Sequence, residues 1–190
     1  METKLISIYL FIYILFVNSC NAQNNEILRL DEITIDTISL EEARYIYKDF
    51  GKVKNEKTWI EDYEDYTRKF TEYKYDSIEV LIFSNSTGKK FTNWIKITGS
   101  NHQVKINGNI FQVNDSISTL KEIYFDIYND YIIYTLKNKN IKNNVHFGKP
   151  IFIINKYNKN EYYLGSLKFG IHNGVIKEII IDLRTEGDYD

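Results

Sequence analysis

The sequence predicts a sheet-dominated α+β fold, and three observations carry that expectation. The chain has 30 Ile, 16 Tyr and 11 Phe, but only Ala22 and Ala43 for alanine. β-Branched and aromatic side chains suit a half-buried pleated surface, whereas alanine is the best helix former. Two Asn-Gly pairs, Asn107-Gly108 and Asn173-Gly174, sit between runs of strand character, where they supply the positive φ values of a tight type I′ turn. Helix starts are found at two places, and strand patterns follow each. With one proline, Pro150, and 9 glycines, turns must rely on Asn and Asp as well as Gly.

The first twenty residues read as an address. Lys4 is the one positive side chain ahead of Leu5–Val17 (LISIYLFIYILFV). That run is short for a bilayer core of ~30 Å and fits the apolar core of a secretory signal peptide. Val17-Asn18-Ser19-Cys20 resembles a bacterial lipobox, with Asn18 where a small or aliphatic residue is usual. Cleavage after Ala22 competes with it, because Cys20-Asn21-Ala22 places small residues at −3 and −1. Cys20 is the only cysteine and stands where a lipobox needs it, so residues 1–20 read as a signal peptide ending at a lipid-attachment cysteine. Acyl chains contribute ~0.8 kcal/mol per buried methylene and would anchor the protein in the cell envelope, with the outer membrane facing the periplasm as the expected site. Cleavage after Ala22 would leave a secreted or periplasmic protein instead. A single cysteine allows no intramolecular disulfide, so the domain depends on its core. Residues 21–31 (NAQNNEILRLD) read as a polar tether.

Ser39-Leu40-Glu41-Glu42 is a capping box, with Leu40, Ala43, Ile46 or Tyr47, and Phe50 at helical spacing and Gly51 placed to end the helix. In Lys57–Thr71, Trp59, Tyr63, Tyr66 and Phe70 share one helical face, which reads as a second short helix packing on a sheet or as an exposed excursion. Strand patterns follow over Glu72–Phe83 and Phe91–Thr98, and Asn107-Gly108 joins Val104–Ile106 to Asn109–Val113. Asp115-Ser116 open the second helix start, with Ile117, Leu120, Tyr124 and Ile127 at spacings of three and four. Further strand patterns cover Tyr131–Lys137, Ile151–Asn155, Tyr162–Phe169 and Val175–Asp182. Aligning Asp36-Thr37-Ile38-Ser39 with Asp115-Ser116-Ile117-Ser118 also superposes Tyr45 on Tyr124, so two divergent repeats are expected. The first covers 32–100 as helix plus antiparallel meander. The second covers 101–183 as hairpin, helix and meander, and 184–190 form an acidic tail.

This arrangement resembles the tandem-repeat fold of the β-lactamase inhibitor protein and the small outer-membrane lipoproteins of the SmpA/OmlA type. The residues that carry the likeness are Asn107-Gly108-Asn109-Ile110 and Val113-Asn114-Asp115-Ser116-Ile117-Ser118-Thr119-Leu120, with Asn114 where a glycine is common. The resemblance spans about 31–100 and 101–183. It implies a concave sheet face and loops offered to protein partners, without catalysis.

Little in the chain points to a reaction. His102, His146 and His172 stand alone, with no His or Cys at metal-ligand spacing, so no metal or other cofactor is expected. No G-x-S-x-G, Walker-type or G-x-G-x-x-G sequence occurs. A net charge of −2 and a pI near 6.0 argue against a dedicated nucleic-acid binder. Lys137–Lys159 reads as two polar loops around a strand. Glu61-Asp62-Tyr63-Glu64-Asp65-Tyr66 alternates charge with rings, and is either a solvated helix face or a patch for a basic partner. Trp59, Tyr63 and Tyr66 are the candidate partner-binding residues. The expected function is that of a non-enzymatic, exported, lipid-anchored envelope protein that binds another protein, as a scaffold or as an inhibitor or immunity-type protein. The alternative is a periplasmic small-molecule or glycan-binding module, or a cryptic hydrolase.

Overall fold

The computed structural model describes residues 28–40, 50–64, 67–84, 87–138, 141–154 and 161–183. The apolar leader, Cys20, Tyr66, most of the helix expected after Ser39, and the acidic tail lie outside the described residues.

Strands dominate what is described, with a little helix. β1 (Leu28–Arg29), β2 (Ile33–Ile35) and β3 (Ile38–Ser39) come first, followed by β4 (Asn55–Asp62), β5 (Thr67–Lys74), β6 (Ile78–Ser84) and β7 (Lys90–Ile97). The hairpin β8 (Gln103–Ile106) and β9 (Asn109–Gln112) leads into α1 (Ser118–Lys121) and α2 (Phe125–Lys137). The chain closes with β10 (Val145–Ile154), β11 (Glu161–His172) and β12 (Val175–Asp182). An eight-stranded sheet runs in the order β1-β10-β11-β12-β7-β6-β5-β4, and a four-stranded sheet in the order β3-β2-β8-β9. Every neighbouring pair is antiparallel except β1 on β10, which is parallel.

One face of the large sheet builds the core. Ile78, Val80 and Ile82 of β6, Ile95 and Ile97 of β7, Leu167 and Phe169 of β11, and Ile179 and Ile181 of β12 are all buried there. Ile33 and Ile35 of β2, and Val104 and Ile106 of β8, join the same cluster. Burying each such side chain contributes about 1.5–3 kcal/mol, and the period of two along a strand forces their neighbours to the opposite face. A bulge keeps β12 in step. Gly170 pairs with Glu178 but Ile171 pairs with Ile176, so Ile176 and Ile179 both face inward although three positions apart. Three rings tie the layers together. Phe111 of β9 lies 5.8 Å from Tyr124, which precedes α2, and 5.5 Å from Phe169 of β11.

Both Asn-Gly hairpins form as the sequence implied. Asn107 and Gly108 have φ of 48° and 85°, and Asn173 and Gly174 have 52° and 74°, as a type I′ turn demands. Asn114 also has a positive φ, 79°, a region that asparagine tolerates better than most other non-glycine side chains.

Several expectations are corrected. Lys57–Thr71 is no helix: Trp59 of β4 faces Phe70 of β5 across an antiparallel hairpin, so rings on two strands mimicked a helical stripe. Glu72–Phe83 is two strands parted at Tyr75-Asp76-Ser77, where the Tyr75 amide bonds the Ile78 carbonyl. Tyr131–Lys137 belongs to α2, because Ile127 and Tyr131 bury one helical face and the Tyr131 hydroxyl accepts from the Gly174 amide at 2.7 Å. Tertiary packing there overrides the strand preference of Tyr and Ile. The helix start at Ser39 is not among these corrections: Ser39 ends β3, Leu40 is helical, and the residues that follow lie outside the described ones. The expected tether stops short of Asp31, since Leu28 and Leu30 are buried and β1 pairs with β10. The strand expected at Ile151–Asn155 starts earlier, at Val145.

The ring junction sets a stability prediction. Phe111→Ala should lower the unfolding free energy by about 3–5 kcal/mol. Phe125→Ala, on a side chain 57% exposed, should stay within about 0.5 kcal/mol. Urea titration measures both, and similar losses for the two would contradict the role of Phe111 in joining the two sheets.

Candidate functional site

The face of the large sheet turned away from the core carries a groove of about 920 Å³, lined by residues of β5, β6, β7, β10, β11 and β12. Trp94, Lys96, His146, Lys168, Ile180 and Asp182 are among its walls. Each is displayed by alternation: the residues flanking Lys96 and Lys168 in sequence, Ile95 and Ile97, Leu167 and Phe169, point into the core.

Glu178 is the electrostatic centre of this face. Its Oε1 accepts from Asn144 Nδ2 at 2.9 Å and from His146 Nε2 at 2.7 Å, and its Oε2 lies 2.9 Å from Lys96 Nζ. Burial alone would push its carboxyl up, but the bonds from Asn144, Lys96 and His146 outweigh burial and hold it below the ordinary glutamate range. The reach to His146 spans a whole strand and depends on Gly170 in β11, where a Cβ would come within 2.4 Å of Glu178 Cγ. Around this centre charges alternate between strands. Lys168 approaches Asp182 at 3.5 Å, and Lys74 lies 3.3 Å from Glu79, the register partner of Lys96 as well. Such cross-strand opposite charges support the sheet that displays them.

Towards β4 the same face becomes aromatic. Trp59 stacks on Phe70 at 5.6 Å, Phe70 lies 6.5 Å from Phe83, and Phe83 stacks on Phe91 at 5.2 Å. Leu81 and Trp94 complete this cluster, so Trp94 belongs to both the aromatic end and the groove. At the hairpin tip Glu61 accepts from the Tyr63 hydroxyl at 2.7 Å and from Trp59 Nε1 at 2.8 Å. The Tyr63 bond, then the Trp59 bond, lowers its pKa.

The sequence-derived candidates Trp59 and Tyr63 are therefore brought together, through Glu61, at the rim of the face. Tyr66 lies outside the described residues. The histidines find separate partners: His102 meets Asp36 at 2.8 Å, His146 meets Glu178, and His172 Nδ1 lies 3.4 Å from the Asn143 carbonyl. Among the described residues no group of three or more His, Cys, Asp or Glu stands close enough to hold a metal ion. Sequence reasoning missed Trp94, Lys96, Lys168, Glu178 and Asp182. The available signal was a charged residue flanked by apolar ones, Lys96 between Ile95 and Ile97, Lys168 between Leu167 and Phe169, and Asp182 between Ile181 and Leu183, which marks one dry and one wet face.

Comparison of the chain with family models, with curated proteins and with solved structures gives no significant match. Among the described residues no helix is long and apolar enough to cross a membrane, which says nothing of membrane-spanning strands.

The Glu178 network sets a pH prediction. A carboxyl that titrates lower folded than unfolded contributes stability above its unfolded pKa and loses it as the pH falls through the folded one. Glu178→Gln should therefore cost about 1–3 kcal/mol at about pH 7. The gap to wild type should narrow as the pH falls below the ordinary glutamate range, and close once the folded-state carboxyl is protonated. A gap that stays constant across an acid titration, read from denaturant curves, would contradict an ionised Glu178.

Proposed function

We propose that this chain is an exported, non-enzymatic protein, lipidated at Cys20, that binds another protein on the open face of its eight-stranded sheet. The observation that carries the reading is that face itself: a charged groove over six strands, continuous with an aromatic cluster that reaches Trp59 on a seventh, β4. A broad surface with aromatic anchors and fixed charges of both signs suits protein recognition, where rings supply contact area and charges select the partner. Its ionisable groups are engaged with one another, and Glu178 is held ionised, which suits static complementarity better than proton transfer.

The two-repeat reading draws support from the strand order. In the large sheet the meander β4–β7 and the meander β10–β12 meet through their last strands, β7 and β12. In the small sheet the hairpins β2-β3 and β8-β9 meet through their first strands, β2 and β8. This mirrored order is what two divergent copies related by a pseudo-two-fold axis would give, and it suits the resemblance to inhibitor-type repeats. The leader Leu5–Val17 and the lone Cys20 support an envelope location, most simply the outer membrane facing the periplasm. The partner is then an envelope assembly or an enzyme or toxin that the protein blocks.

The groove's volume and the indole of Trp94 also favour a second reading, a glycan or small-molecule site, since sugars stack on such rings. Cross-linking and affinity purification from native membranes, with a tag after Asp190, should recover one dominant protein in near-equal amount. Trp94→Ala should weaken that complex at least tenfold, as loss of a central aromatic anchor does at roughly 2 kcal/mol or more. Recovery unchanged by Trp94→Ala would remove this face from consideration. A thermal shift with a glycan panel, worth about 2.7 kcal/mol at 100 times the dissociation constant, would favour the second reading.

A further inference from the structure

We infer that the outer edge of β4 is a self-pairing interface, which joins two copies of this chain through antiparallel β4–β4 contacts centred on Trp59. Among the described residues β4 is the last strand of the large sheet. Its eight residues, Asn55–Asp62, are exposed except for the half-buried Trp59. The opposite edge is only the two-residue β1. A long edge strand without proline exposes a row of unpaired amides and carbonyls, a ready template for another strand.

Symmetry restricts how a second copy fits. A two-fold axis that pairs a strand antiparallel with itself must stand perpendicular to the sheet, so the same face of both copies lies on the same side. Residues of like parity then stand opposite each other, and slips by one residue are excluded. Among the remaining registers, the one with Trp59 on the axis places Lys57 opposite the partner's Glu61 and Glu61 opposite the partner's Lys57. All three residues lie on the face that carries Phe70, Glu72 and Arg68, their register partners in β5. The two aromatic clusters, each running Trp59–Phe70–Phe83–Phe91, would become one continuous band across the axis. On the other face Thr58 meets the partner's Ile60, which covers a side chain that is 62% exposed in the single chain.

The neighbouring allowed registers are poorer. Centring on Thr58 sets Lys57 against Trp59 and Asn55 against Glu61. Centring on Ile60 shortens the overlap and sets Trp59 against Glu61. The preferred register has one unfavourable feature, Glu56 opposite the partner's Asp62 at each end. Those positions are solvated, and Asp62 already accepts from Thr67 Oγ1 at 3.0 Å. The charges that would otherwise blunt this edge are therefore self-complementary where the overlap is central.

Charge exchange tests the assignment. The full chain in density-matched detergent micelles should show a monomer–dimer equilibrium by sedimentation. Lys57→Glu and Glu61→Lys should each weaken it about tenfold, since each replaces two attractive pairs by two repulsive ones. The double variant should restore it. Cysteine substitution checks the register: Trp59→Cys should cross-link to itself on oxidation. Thr58→Cys should cross-link when mixed with Ile60→Cys but not alone, above the background of Cys20 in the parent chain. A monomer at every concentration would overturn the inference, as would a dimer indifferent to the single reversals or unrescued by the double. Stronger self-linking from Thr58→Cys than from Trp59→Cys would overturn the register.

Discussion

The rest of the molecule depends on the burial of one face of an eight-stranded sheet. Ile78, Val80, Ile82, Ile95, Ile97, Ile179 and Ile181 make that face dry, and the small sheet, with Phe111 and Tyr124, covers it. Because side chains alternate strictly along a strand, committing these isoleucines inward decides where every intervening residue points. A slip of one position in any central strand would drive a lysine or glutamate into the core, so the register of the whole sheet is held by hydrophobic burial rather than by hydrogen bonds, which every register satisfies equally.

The open face is the complement of that decision. Lys96, Lys168 and Asp182 lie between apolar residues in their strands and Glu178 lies beside Ile179, and they meet because the core claims those neighbours. Once displayed side by side on a twisted sheet, charges of alternating sign pair across strands and hold one another in fixed positions. Gly170 permits a contact that alternation alone would not: by offering no side chain, it lets the Glu178 carboxylate pass over β11 to His146 of β10. The outcome is a preorganised electrostatic surface bordered by rings, which is the physical basis for reading the face as a recognition surface.

The hairpin β4–β5 shows how local pattern misleads. Trp59, Tyr63, Tyr66 and Phe70 recur at spacings of three and four, and the acids among them suit a helix start. Trp59 and Phe70 instead stack across two strands, since a turn reverses the chain between them. Helix and hairpin both bring such residues to one side; only the neighbouring strand β6, with Phe83 waiting beside Phe70, selects the hairpin. The opposite error occurs at Tyr131–Lys137, whose Tyr and Ile favour strand in isolation. There the ring of Tyr131 packs against Phe147 at 6.1 Å and its hydroxyl holds the Gly174 turn, contacts that only the helical spacing with Ile127 delivers.

The sequence by itself determined the sheet-rich class, both Asn-Gly turns, and the limits of β12 and most of β7. These features are local: turn chemistry acts within four residues and alternation within a strand. Only the tertiary structure decided the strand order, the bulges that let Ile176 and Ile179 face the same core, and the meeting of Glu178 with Lys96 and His146. Those contacts join residues 32 to 82 positions apart along the chain, and nothing in a neighbourhood of a few residues encodes which strand will lie next to which. That choice belongs to the burial of the whole sheet face at once.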